Sequence, residues 1–138
     1  MSQANVELVR ATWEAWERGD TNGVLSFVDP EVEWLTAIDR GLGRAGSLYH
    51  GHEGMRELWN LWRSEFDDFS IQADEIRDLG DERILSLAHW QFRGRASGIL
   101  VESQLALLMT LRDGKIVRSE DYLSHQEALE DVGLSGRE

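Results

Sequence analysis

The chain has 138 residues, 41% hydrophobic and 29% charged, with no cysteine and with 26 acids against 14 bases for a net charge of −12. That length suits one domain, residues 1–138, able to bury roughly two thirds of its unfolded surface, and the lack of cysteine excludes disulfides, thiolate nucleophiles and cysteine metal sites and fits a reducing, cytoplasmic setting. The negative charge would repel phosphate backbones, which argues against nucleic acid, while the longest apolar run, Leu105 to Met109, falls far short of the roughly 20 residues that span a bilayer, and no basic-then-apolar segment opens the chain, so neither membrane insertion nor export is expected.

In chain order, Ser2 is positioned to cap a first helix in which Val6, Val9, Trp13 and Trp16 recur at spacings of three and four, ending near Gly19. Asp20 can cap a second, short helix carrying Val24, Leu25, Phe27 and Val28, with Pro30 as its stop before a strand at Val32 to Thr36. The glycine-rich stretch from Ala37 to Ser47 reads as one long loop, and its Asp39, Arg40 and Arg44 are available to a site. A third helix from about His52 to Phe66 places Met55, Leu58, Trp59, Trp62 and Phe66 on one side.

The second half changes period. Strand-like stretches run from Asp68 to Leu79, Ile84 to Arg95, Ile99 to Arg112 and Ile116 to Leu123, separated by Gly80-Asp81, by Gly94 to Gly98 and by Asp113-Gly114, the last a strong two-residue hairpin signal. Ser124 with Glu127 three residues on forms a capping box for a short terminal helix through Asp131, and residues 133–138, with Gly133 and Gly136, are expected to fray. Helices followed by a strongly curved, mostly antiparallel sheet make an α+β cone wrapped on three N-terminal helices, closed by a short C-terminal one.

Gly19-Asp20, Asp29-Pro30-Glu31-Val32-Glu33-Trp34, Tyr49-His50-Gly51-His52-Glu53-Gly54 and Leu111-Arg112-Asp113-Gly114-Lys115-Ile116-Val117, in that order and spacing, resemble the SnoaL-like branch of the nuclear transport factor 2 (NTF2-like) superfamily over residues 3 to about 133. The resemblance implies a commonly dimeric cone that hosts ketosteroid isomerases, polyketide cyclases, epoxide hydrolases and dehydratases, so the fold by itself does not decide the activity. Alignment of the hairpins with ketosteroid isomerase puts its base at Thr36, its oxyanion-hole acid at Leu107 and its oxyanion-hole tyrosine at Thr12. Proton abstraction beside a ketone needs a base and a donor aimed at the enolate oxygen. None of these three residues is the group required at its position, which argues against ketosteroid isomerisation itself.

The same alignment makes Val32, Trp34 and Thr36, then Ser86, Ala88, Trp90 and Phe92, then Ser103, Leu105, Leu107, Met109 and Leu111, then Val117, Ser119, Asp121 and Leu123 the concave positions, an assignment that a one-residue slip would invert strand by strand. No Arg stands among them, which weakens the Asp-Arg-Asp chemistry of a limonene-type epoxide hydrolase. Asp121 is the single carboxylate in this set. In a cup of Leu, Met and Trp it would be poorly solvated, with its pKa raised toward a useful acid or base, and it resembles the pocket Asp of the family's polyketide cyclases. A paired or rim carboxylate is the alternative.

Six tryptophans enrich the interior, each buried N–H seeking an acceptor. Trp13, Trp16, Trp34, Trp59 and Trp90, with Thr36, Tyr49, Ser103, Leu105, Leu107 and Ser119, are the candidate pocket residues, and flat aromatic walls favour ring-shaped ligands. His50-Gly51-His52-Glu53 lacks the second histidine of His-Glu-x-x-His, so no metal is expected. No Gly-x-Gly-x-x-Gly or phosphate loop is present, and no cofactor is expected.

Outward positions Leu85, Leu87, Ala106 and Leu108 are apolar beside His89, Gln91, Glu102, Gln104 and Thr110. A sheet covered on both faces reads this way, and the expected cover for the convex face is a second subunit, a homodimer. The functional expectation is a small, largely apolar, cyclic molecule bound in the cone, with Asp121 assisting proton transfer in an isomerisation, cyclisation or hydration. The competing classes are a non-catalytic binding module, which needs the cavity alone, and a structural dimerisation domain, which needs neither cavity nor inward carboxylate.

Overall fold

The computed structural model describes residues 2–36 and 47–133. The Asp39, Arg40 and Arg44 of the glycine-rich stretch, and the tail beyond Gly133, lie outside the described residues. Helix α1 (Ser2–Glu17) buries Val9 and Trp13 at the predicted spacing, and the Gly19 backbone, at φ +77°, turns the chain out of it. Asp20 then caps α2 (Thr21–Ser26), its Oδ1 accepting from the Gly23 N–H at 2.9 Å.

Strand β1 (Val28–Thr36) begins four residues before the expected Val32. Pro30 is not the stop for α2, which ends at Ser26 with Phe27 as its C-cap; it sits inside the strand, where the ladder between β1 and β6 is interrupted from Val28 to Glu33 and no N–H is required of it. A short strand β2 (Ser47–His50) pairs antiparallel with β1, Trp34 opposite Tyr49. Helix α3 (Gly51–Glu65) buries Met55, Leu58, Trp59 and Trp62. Phe66, expected at its end, has extended backbone and opens β3 (Phe66–Gly80).

Strands β4 (Arg83–Gly94), β5 (Leu100–Arg112) and β6 (Lys115–Tyr122) complete a six-stranded sheet in the order β2-β1-β6-β5-β4-β3. Every neighbouring pair is antiparallel except β1 and β6. Asp113 and Gly114 both take positive φ, as a tight hairpin turn of this hand requires. The β3–β4 turn is centred one residue later than Gly80-Asp81, on Asp81 and Glu82, both also at positive φ. The Ser124 Oγ accepts from the Glu127 N–H at 3.2 Å and caps α4 (His125–Asp131).

The curved sheet is not closed into a barrel, and the described residues form the α+β cone expected of the sequence. Its concave face and helices α1 to α3 enclose the main core. The convex face has a second, smaller core: Leu85, Leu87, Ala106 and Leu108 are buried with Ala128 of α4, flanked by Leu79, Tyr122, Leu129 and Val132. This corrects the ground for a dimer. The four outward apolar residues are covered by the chain's own C-terminal helix, a partner hidden in the sequence because α4 is only seven residues long. No helix among the described residues is long and apolar enough to cross a membrane.

Candidate functional site

A cavity of about 50 Å³ lies between the concave face and the helices, against the roughly 10–15 Å³ that one ordered water needs. Helix α1 contributes Thr12, Trp13 and Trp16, α2 contributes Val24, and α3 contributes Met55, Trp59 and Trp62. The sheet side is formed by Val28, Val32 and Trp34 of β1, Ile71 of β3, Leu105, Leu107 and Met109 of β5, and Ile116, Ser119 and Asp121 of β6. The walls are therefore almost wholly hydrocarbon and indole.

Asp121 is 5% exposed and stands opposite Leu107 in the β5–β6 ladder. The parallel pairing of β1 with β6 sets Trp34 beside Ser119, and from there the Trp34 Nε1–H donates to Asp121 Oδ2 at 3.1 Å. A carboxylate taken out of water needs such donors, because an ion left without them in an apolar wall is strongly disfavoured. Ser119, opposite Met109, is buried, and its Oγ has no hydrogen-bond partner among the described residues. Polar chemistry in the cavity is thus concentrated on one strand, two residues apart. Thr12 adds little to it, since its hydroxyl donates to the Leu8 carbonyl at 2.8 Å.

Of the residues singled out from the sequence, Trp13, Trp16, Trp34, Trp59, Leu105, Leu107, Ser119 and Asp121 line this cavity. Thr36, Tyr49, Trp90 and Ser103 do not. Thr36 is buried at the end of β1 against β2, and Tyr49 packs half-buried on the core from β2. Trp90 is drawn instead into an aromatic cluster with Phe66, Phe69 and Phe92, at centroid separations of 6.0, 5.8 and 4.7 Å. Ser103 lies farther along β5, half-buried opposite Trp90.

Strict alternation predicts Val117 on the inward side, and Ile116 takes that place instead. A bulge between Thr110 and Leu111 sets Leu111 opposite Ile116 while Thr110 stays opposite Arg118, so alternation through the hairpin is offset by one residue. Val117 lines an outer surface with Asp113, Lys115 and Arg118. Ile71 escapes sequence reasoning because β3 has three register shifts that obscure its parity. Met55 and Trp62 are legible only as the apolar face of a helix.

The histidines are engaged away from the cavity. His50 Nε2 lies 3.1 Å from Glu31, His52 Nε2 donates to the Val28 carbonyl at 2.8 Å, and His89 Nδ1 lies 3.0 Å from Asp74 on the outer face. No cluster of three or more His, Cys, Asp or Glu able to hold a metal occurs among the described residues.

Residues 9–119 match the SnoaL-like domain. The chain belongs to the SnoaL-like domain family. Solved structures show the same fold around it. An NTF2-like protein of unknown function from Burkholderia pseudomallei is 24% identical, with 94% of this chain and 98% of that one covered and a TM-score of 0.77. TerC, co-crystallised with polyporic acid, is 23% identical over 94% of this chain and 98% of its own, with a TM-score of 0.77. A candidate polyketide cyclase from Xanthomonas campestris pv. campestris is 19% identical over 95% and 98%, with a TM-score of 0.71. At these identities the likeness of the SnoaL-like chain to each is one of fold. None of the curated proteins matches it.

Proposed function

We propose that this SnoaL-like protein binds a small, largely apolar, cyclic molecule in its cavity and uses Asp121 as the acid/base for a proton transfer, in an isomerisation, cyclisation or hydration. The observation that carries this reading is a buried carboxylate in the wall of an otherwise apolar cavity, held by an indole N–H and two residues from a buried hydroxyl that no described residue pairs. Extending the cavity by a water radius on every side leaves room for one small ring system. An apolar wall gives such a ring its affinity through burial of its surface.

In the proposed step, the Asp121 carboxylate takes a proton from a carbon next to an activating carbonyl, and the resulting carboxylic acid returns it to another atom of the same molecule. The electron pair left on carbon is spread over the molecule's own conjugated carbonyl, since Thr12 and Leu107 supply no ketosteroid-isomerase-type donor to an enolate oxygen, and no external oxidant or reductant is involved. The Trp34 N–H fixes the direction of the carboxylate, and the apolar walls keep competing water from the proton. The polyketide-cyclase description of one fold neighbour and the polyporic acid co-crystallised with another are in keeping with a cyclic ligand.

The test is exchange of the α-hydrogens of a panel of cyclic ketones in D2O, followed by proton NMR. Exchange above the buffer rate by the wild type, lost in a folded Asp121→Asn variant, supports the reading. Ligand binding without exchange in either protein would leave a binding module, a reading that the Trp34 hydrogen bond on the carboxylate favours.

A further inference from the structure

One of the residues lining the cavity differs from the rest in a way that bears on access. Every described lining residue is at most 9% exposed except Trp16, which is part-exposed and packs on the core from its margin. Beside it lies an open groove of about 520 Å³ between the C-terminal ends of α1 and α3 and the start of β3. Trp16, Trp59, Trp62 and Ile71 border both spaces. In the groove wall Asp67 is paired with Arg95 at 3.2 Å and Asp68 with Arg93 at 3.8 Å, so the rim charges are largely balanced and an uncharged molecule meets no strong field there.

The four residues of the shared wall are not equally free to move. Trp59 and Trp62 are buried on the inner face of α3 and Ile71 is buried on β3, so displacing any of them disturbs a whole element. Trp16 stands in the last turn of α1, where its carbonyl accepts from the Gly19 N–H at 3.0 Å. Its backbone is thus fixed, while its side chain can pass between staggered rotamers. The rings of Trp13 and Trp34 are tied by their N–H groups to Ser86 and Asp121. Trp16 instead meets Trp59 in a tilted ring contact, centroids 5.4 Å apart at 57°, an interaction weak enough for the ring to leave and regain.

We infer that the ligand enters the cavity from this groove and that Trp16 controls its admission, the indole turning away from Trp59 to let a neutral ring pass and closing behind it. The inference rests on the cavity reading above and adds to it the route and the residue that governs it. With Trp16 turned aside the groove and the cavity become one space, so the 50 Å³ of the closed cavity is the inner end of the site. Asp121, on β6, stays in the wall of that inner end and is reached only by what Trp16 admits.

Fluorobenzene, a small neutral ring, tests this in the full chain, with its entry and exit rates read by fluorine NMR exchange and its affinity by titration. In Trp16→Ala both rates should rise by up to roughly tenfold, the most that one aromatic contact holding the closed state supplies, and the affinity should change far less than either rate. Ser70→Trp, a substitution at an exposed groove position that leaves the cavity lining intact, should slow both rates at unchanged affinity, and it decides the matter should Trp16→Ala not fold. Trp90→Phe, at an indole that borders neither space, should leave both rates as they are. Unchanged rates in Trp16→Ala or in Ser70→Trp, or an equal acceleration in Trp90→Phe, overturn the inference and leave the cavity reading standing. Failure of fluorobenzene to bind either the wild type or Trp16→Ala overturns the two together.

Discussion

The indole N–H of Trp34 on β1 donates to the carboxylate of Asp121 on β6 at 3.1 Å, across 87 positions of sequence. The bond is buried at both ends, so it ties the candidate acid/base to the strand that walls the other side of the cavity. Trp34→Phe keeps an aromatic ring and removes the donor. It should destabilise the fold by about 1.5–3 kcal/mol, the range for a hydrogen bond to a charged group, as measured by urea unfolding. In Asp121→Asn the same substitution should cost less, because the remaining partner is uncharged, and equal costs in the two backgrounds would show that the pair is not coupled.

A second buried indole makes an independent test. Trp13 donates to Ser86, whose side chain is fully buried. Ser86→Ala strands that N–H and should cost about 1–3 kcal/mol, while adding Trp13→Phe to it should recover part of the loss. Thermal unfolding of the three variants decides the matter.

The offset of alternation at the β5–β6 hairpin is checked by neighbouring substitutions. Ile116→Asn places an amide in the core and should cost about 2–4 kcal/mol, combining lost packing with an unmet polar group. Val117→Asn, on the outer surface, should stay within about 1 kcal/mol. The reverse order, read by denaturant unfolding, would restore the alternation expected without a bulge.

Helix α4 shields the apolar strip of the convex face, and Ala128 is its fully buried contact. Ala128→Asp should lift the helix and expose Leu85, Leu87 and Leu108. The expected outcome is concentration-dependent self-association in sedimentation velocity, as an uncovered apolar sheet face favours. An unchanged sedimentation profile with an intact helix would mean that the cover tolerates the charge.

Tyr122 at the base of the same helix donates its phenol proton to Asp131. Burial, then that hydrogen bond, then the Glu120, Asp131 and Glu127 carboxylates push its pKa well up from the usual phenol range. A raised folded-state pKa stabilises the protein below the unfolded phenol's value of about 10, and that contribution is lost as pH rises above it. Wild type should therefore lose stability between neutral pH and the strongly alkaline range more steeply than Tyr122→Phe. Parallel pH profiles of their melting temperatures would remove Tyr122 from the alkaline transition.

Much of the fold was legible because local chemistry and long-range pairing agree. Asp20 and Ser124 cap helices at the positions their side chains suggest, and Asp113-Gly114 turns as its residue types require. Asp121 faces the cavity because the alternation from Leu105 to Met109 continues through its ladder partner Leu107. The misses have one physical source, contacts that local patterns do not encode. A bulge moves Val117 outward, an aromatic cluster draws Trp90 away, β2 is too short to show a period, and α4 covers a face whose apolar residues suggest a second subunit.

The position of β6 in the sheet has a consequence for synthesis. This strand, near the end of the described chain, lies between β1 and β5 and is the only bridge in the ladder between the first hairpin and the rest of the described sheet. A chain growing from its N-terminus thus completes β1 and β2 long before the neighbour that holds them exists. Until residues 115–122 have emerged, the half-built sheet has two open edges where its centre will be, and the tryptophans of the future cavity lack a floor. Nascent chains stopped just short of β6 should accordingly be the species most dependent on chaperones.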